Sequence, residues 1–220
     1  MHSYAPKRRR RRRLPCVLLA VVALALAVTW LCRNFGGADS DRWALILVNP
    51  WHTMPEDYAP ALTQLSNGQS VDSRIYPDLQ QMFDTARSQG VDPVVYSGYR
   101  TWDKQQSLLD AQVASYLEQG YSPEQAQEAA QSWVAVPGTS EHQLGLAVDI
   151  NANPDNSTDE EVYAWLAENA WQFGFILRYP QDKTQITGIQ YEPWHYRYVG
   201  REAAAHIHTS GQCLEEYLGD

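Results

Sequence analysis

Apolar positions along the chain change their period several times, and each change marks an element. Leu14–Cys32 is an unbroken run of apolar and small residues without a charge. At about 1.5 Å per residue it reaches roughly 28 Å as a helix, close to the hydrocarbon thickness of a bilayer. A short polar linker with Gly36-Gly37 follows. Ala44–Val48 reads as a short strand, and Pro- and Asn-containing loops run on to about Gly68. Ile75, Leu79, Met82, Phe83 and Ala86 then recur at helical spacing, which predicts a helix over Arg74–Gln89 stopped by Gly90. Val94–Ser97 is a β-branched run of strand length. Thr101 can cap a helix over Trp102–Gln119, and Ser122-Pro123-Glu124-Gln125 is a capping box that opens another to about Trp133.

Leu146–Ile150 predicts a strand, and Thr158 with Glu161 caps a helix to about Phe173. Phe175–Tyr179 and Ile189–Tyr198 read as strands, the second broken at Pro193, and Gly200–Ser210 as a last helix. Helices and strands mix without regular alternation of the two. The predicted class is α+β, with helices around a small antiparallel sheet, preceded by one N-terminal transmembrane helix.

Charge sharpens the division. The net charge of -9 conceals an N-terminal segment, up to Arg33, with eight bases and no acids. The rest carries 9 bases against 26 acids. So acidic a body argues against a nucleic-acid partner. The run Arg8 to Arg13 lies directly before the apolar stretch, where it reads as a cytoplasmic membrane flank that sends the C-terminal part outward. The expected organisation is a basic tail over 1–13, an anchor over 14–32, a linker over 33–43 and a catalytic domain over 44–220. A cleaved signal peptide is the competing reading, but its possible site at Ala25-Leu26-Ala27 falls inside the apolar run. A lipoprotein is a poor fit, because Trp30-Leu31 precedes Cys32. The three cysteines, Cys16, Cys32 and Cys213, form no CxxC pair, which excludes a thiolate zinc knuckle. A Cys32–Cys213 disulfide stays open. With 8 Trp and 13 Tyr, the chain has the material for a packed core.

Three segments carry residues with chemistry: Ser97-Gly98-Tyr99-Arg100-Thr101, Ser140 to Asp149, and Glu192-Pro193-Trp194-His195. A catalytic zinc takes three protein ligands and leaves one position open. His142, Asp149 and His195 supply two imidazoles and a carboxylate, and Gly145 can bend the chain so that the first two meet. Glu192, three residues before His195, can reach the same centre without being a ligand and act as general base. Arg100 stands after a strand, where a guanidinium can clamp a terminal carboxylate. His2, His52, His206 and His208 read as non-ligands, and Asp155, Asp159, Glu160 and Glu161 as a solvated acidic run at a helix start.

The order Ser-x-His-x6-Asp followed by Glu-x-x-His, with Ser-Gly-Tyr-Arg upstream, resembles the VanY family of metallo-carboxypeptidases. The likeness runs from about Leu45 to Val199 and includes Gly174-Phe175-Ile176-Leu177-Arg178-Tyr179-Pro180 and Tyr191 to Tyr196. It implies the fold of the D-Ala-D-Ala metallopeptidases, Zn2+ held by His142, Asp149 and His195, Glu192 as base, and Arg100 on the substrate carboxylate. It also places Gln105 and Ser140 on the substrate site. Tyr99 either lines that site or packs beside it, and Trp194 walls His195. The implied reaction is hydrolysis of the C-terminal residue of peptidoglycan stem peptides or of their lipid-linked precursors. An L,D-carboxypeptidase, an endopeptidase or an inactive wall-binding module of the same fold are the rival expectations.

Overall fold

The computed structural model describes residues 1–2 and 42–220. The apolar run Leu14–Cys32, the basic stretch before it and the linker up to residue 41 lie outside the described residues, as does Cys32. Cys213 itself is buried. Among the described residues no helix is long and apolar enough to cross a membrane. The compact body runs over Ala44–Asp220.

Its elements are β1 (Leu62–Gln64), β2 (Ser70–Asp72), α1 (Tyr76–Ser88), β3 (Pro93–Ser97), α2 (Trp102–Glu118), α3 (Pro123–Gln131), β4 (Ala147–Ala152), α4 (Asp159–Asn169), β5 (Phe175–Leu177), α5 (Thr184–Thr187), β6 (His195–Tyr198), α6 (Arg201–Ser210) and α7 (Leu214–Leu218). The architecture is α+β: a two-stranded hairpin β1-β2 and a four-stranded antiparallel sheet in the order β3-β4-β6-β5, flanked by helices. β4 is central and buried along Ala147–Ile150, so both of its faces are covered. On one side Ile176, Val199, Ala203, Ala204, Ile207 and Leu214 form a cluster that seats α6 and α7 against the sheet.

The helix starts follow their caps. Thr101 accepts from the Lys104 N–H, and the boxes at Ser122 with Gln125 and Thr158 with Glu161 are both closed. Several sequence expectations need correction. Ala44–Val48 is no strand: Arg42–Leu45 is a 3-10 turn, and the Ala44 and Ile46 carbonyls accept from the Arg197 guanidinium instead of a ladder. The helix expected to reach Phe173 ends at Asn169 and tightens into a 3-10 turn over Ala170–Phe173. The helix expected to reach Trp133 ends at Gln131. The expected strand Ile189–Tyr198 is paired only over His195–Tyr198, and α5 precedes it; Pro193 has no N–H to give a ladder. The β1-β2 hairpin stands where loops were expected.

Candidate active site

The sheet register builds the site. Asp149 on β4 lies directly opposite His195 on β6 and opposite Ser97 on β3. Directly opposed residues project from the same face, so Asp149 and His195 are neighbours by construction. His142 arrives from a 3-10 turn over Glu141–Leu144, which Gly145 ends at φ 71°. A Cβ at Gly145 would also stand 3.0 Å from the Asp72 nitrogen, so both backbone angle and space demand glycine. The turn is pinned to the β3 exit: the Arg100 N–H donates to the His142 carbonyl at 3.1 Å, and His142 Nδ1 lies 2.8 Å from the Gly98 carbonyl. A carbonyl only accepts, so Nδ1 carries the proton and the Nε2 lone pair is left for a ligand.

The donor set fits zinc. His142, Asp149 and His195 offer atoms that all lie within 4.8 Å of one another. Asp149 Oδ1 is 3.3 Å from His142 Nε2 and 3.1 Å from His195 Nδ1. Donors about 2.0–2.1 Å from one tetrahedral centre stand about 3.3 Å apart, so these two edges have the right length. His142 Nε2 is buried with no hydrogen-bond partner, a costly state for an isolated imidazole and the normal one for a ligand. Burial and the nearby Arg100 charge push the His142 pKa down to about 4, which keeps the ring neutral, the form that binds a metal. For His195, burial acts downward, but the neighbouring carboxylates of Asp149, Glu141 and Glu192 outweigh it and raise the pKa to about 9.

A cavity of about 300 Å³ opens on this centre. Arg100, Gln105, Ser140, Glu192 and Trp194 line it with the three donors. Glu192 Oε2 lies 3.5 Å from His195 Nδ1, and burial pushes the Glu192 carboxyl up to about 7 against the pull of His195. Arg100 donates through Nε to Ser97 Oγ at 2.9 Å, through Nη2 to Asp149 Oδ2 at 2.6 Å and through Nη1 to Gln105 Oε1 at 3.4 Å. Gln105 in turn donates to the Ala135 carbonyl at 2.7 Å, which ties α2 to the loop after α3. Tyr99 does not line this cavity. It lines a neighbouring one, with Met54, Tyr58 and Trp102. Among the remaining histidines, His208 stacks on Trp171, His206 packs on Tyr217 and His52 pairs with Asp220.

Behind the centre lies a buried ionic network that the sequence reading missed. Glu141 Oε1 accepts from Arg178 Nε and Arg197 Nη1, each at 2.7 Å. Arg178 also grips Glu215 of α7 bidentately at 2.9 and 2.6 Å, and Asn49 donates to Glu215 at 3.1 Å. Both arginines are fully buried. Burial pushes the Glu141 carboxyl up, and the two guanidinium charges more than reverse that, holding it well below the usual carboxylate range. A signal for part of this existed: Arg178 and Arg197 each stand between apolar or aromatic neighbours in strand-like runs, where a charge implies a buried partner.

Fold and donor set together define the class: a zinc metallopeptidase, with two histidines and an aspartate that could hold the metal. The family model "VanY: D-alanyl-D-alanine carboxypeptidase" matches residues 68–201. This chain belongs to the VanY family. A D-alanyl-D-alanine carboxypeptidase of Enterococcus faecalis is 60% identical over 180 residues, covering 82% of this chain and 67% of that protein. The crystal structure of a mutant of the vancomycin-resistance D,D-pentapeptidase VanY, in complex with Zn(II), matches with TM-score 0.79 at 61% identity and covers 80% of this chain and 99% of that one. A VanYB structure in complex with D-alanine-D-alanine matches with TM-score 0.80 at 60% identity, covering 80% of this chain and 98% of that one. Zinc is the cofactor that the site accommodates.

Proposed function

We propose that this chain is a zinc D,D-carboxypeptidase that removes the terminal D-alanine from peptidoglycan stem peptides on the outer side of a cell membrane. The observation that carries the reading is the convergence of His142 Nε2, Asp149 Oδ1 and His195 Nδ1, with the buried Glu192 carboxyl beside them. When bound, zinc supplies Lewis-acid chemistry, polarising a carbonyl and making water a nucleophile at neutral pH. Glu192 takes the proton from the attacking water and returns it to the departing amine nitrogen; a carboxyl near pKa 7 is suited to both halves of that task. Arg100 has five N–H donors and spends three on Ser97, Asp149 and Gln105, which leaves two for the substrate's terminal carboxylate. Gln105 holds Arg100 in that pose, Ser140 borders the reacting centre, and Tyr99 supports the loop from the adjoining cavity. The D,D preference is supported by the relatives near 60% identity.

The membrane part of the proposal rests on the sequence. Leu14–Cys32 serves as a single anchor with the arginine run on the cytoplasmic side, and Ala44–Asp220 works against nascent wall or lipid-linked precursors. The test is the Glu192→Gln variant on a D-Ala-D-Ala-ended peptide, with and without chelator. Turnover should fall by about 10²–10⁴ while zinc stays bound. Near-normal turnover in the variant would refute the assignment, and mass spectrometry of products from penta- and tetrapeptide stems separates D,D from L,D cleavage.

A further inference from the structure

We propose that Glu141 is a positioning residue of the zinc site: its Oε2 accepts the His195 Nε2–H and fixes the tautomer that presents Nδ1 to the metal. The inference rests on the zinc reading above and adds a residue to it. The two nitrogens of His195 face different partners. Nδ1 lies 3.1 Å from Asp149 Oδ1 and 3.5 Å from Glu192 Oε2, on the cavity side. Nε2, on the far side of the ring, lies 3.7 Å from Glu141 Oε2. Both of these last two atoms are buried, and neither has a hydrogen-bond partner. An orphaned ring nitrogen beside an orphaned carboxylate oxygen satisfies two buried groups at once if the gap closes to the about 2.7–3.2 Å of a hydrogen bond.

Glu141 cannot turn away from the ring. Its other oxygen accepts from Arg178 and Arg197 together, and each arginine is fixed from elsewhere: Arg178 by Glu215 on α7, Arg197 by the Ala44 and Ile46 carbonyls. A carboxylate is the only group of that size that accepts on both ends. Glutamine would turn an amide N–H either toward the ring N–H or toward the guanidiniums, donor against donor. The arrangement also completes a pattern. His142 is oriented by the Gly98 carbonyl and Asp149 by Arg100, so each of the three donors has one dedicated anchor.

Two measurements on the intact chain test this. NMR of the histidine ring nitrogens in the zinc-loaded protein should show His195 bound through Nδ1 with a protonated Nε2; coordination through Nε2 overturns the proposal without any variant. Glu141→Gln should weaken zinc about 10–100-fold in chelator competition. Glu215→Gln, which disturbs the same network one residue further from the ring, should lose thermal stability yet stay within about threefold of the parent affinity. Equal weakening in both variants would mean that Glu141 acts only through the fold, and the proposal fails. If the unmodified chain takes up no zinc, the metal reading itself falls and this one with it.

Discussion

Arg178→Met offers the sharpest test of how the site is held. The side chain is fully buried and makes three charged hydrogen bonds, one to Glu141 and two to Glu215. Methionine fills similar volume but leaves Glu215 with only Asn49 as a side-chain donor and Glu141 with only Arg197. Breaking one side of a buried ion pair costs about 3–5 kcal/mol, because a desolvated charge is left behind. For a body of this size each kcal/mol moves the midpoint by about 2–4 °C, so Tm should fall by about 6–20 °C. The pH dependence gives a second handle. In the parent, burial raises the Glu215 pKa, and Arg178 with Asn49 more than offsets it, so the folded value lies below the ordinary 4.5. That contribution is therefore present above the unfolded pKa and is lost as pH falls through the folded one. In the variant the Arg178 charge no longer opposes burial and only the Asn49 and backbone hydrogen bonds do, so the folded pKa rises and protonation relieves the strain. The stability gap should be widest near neutral pH and narrow as pH drops through the carboxylate range near 4.5. Thermal melts of parent and variant from pH 7 downward, each with chelator present, measure it. A loss under about 1 kcal/mol, or a gap that does not depend on pH, would refute the account of this network as a buried ion pair.

Three further outcomes follow from the geometry. A Cβ at Gly98 would stand 2.2 Å from the Ser70 carbonyl oxygen, a backbone atom, so Gly98→Ala should shift the loop whose carbonyl orients His142 and weaken zinc in chelator competition; unchanged affinity would count against that anchor. Arg100→Lys loses the guanidinium fork, and kcat/KM should fall by about 10–150-fold, as the loss of charged hydrogen bonds of about 1.5–3 kcal/mol requires; a variant with parental kcat/KM would exclude Arg100 from carboxylate binding. Adding zinc at about 100 times its dissociation constant should stabilise the chain by about 2.7 kcal/mol over the chelated form, read as a rise in Tm; identical melts would mean that the donors do not bind it in the folded state.

The helices were the most legible part of the fold. Capping boxes at Ser122 and Thr158 are local chemistry, and both open helices where the sequence places them. Strands of three residues leave no alternation to read, which is why β1 and β2 went unseen and β5 was drawn too long. α5 and α7 are too short to show a period, and Cys213 before α7 is no familiar cap. At the site, His142, Asp149, His195 and Glu192 could be singled out because residue type and order carry them, and the structure brings these four side chains together. The placement of Tyr99 was not legible, since it depends on the direction in which the chain leaves β3. Arg178 and Arg197 carried a signal in their apolar surroundings, whereas nothing near Glu215 says that a C-terminal acid meets a guanidinium 37 positions upstream.

The cross-strand pairing of Asp149 with His195 makes the metal a reporter of correct strand alignment. Side chains alternate along a strand, so a slip of one residue between β4 and β6 would send one of the two to the opposite face and leave an ion with only part of its cage. A misaligned molecule could keep most of its helices and still be unable to retain zinc. Zinc retention would then mark the copies in the one alignment that assembles all three donors.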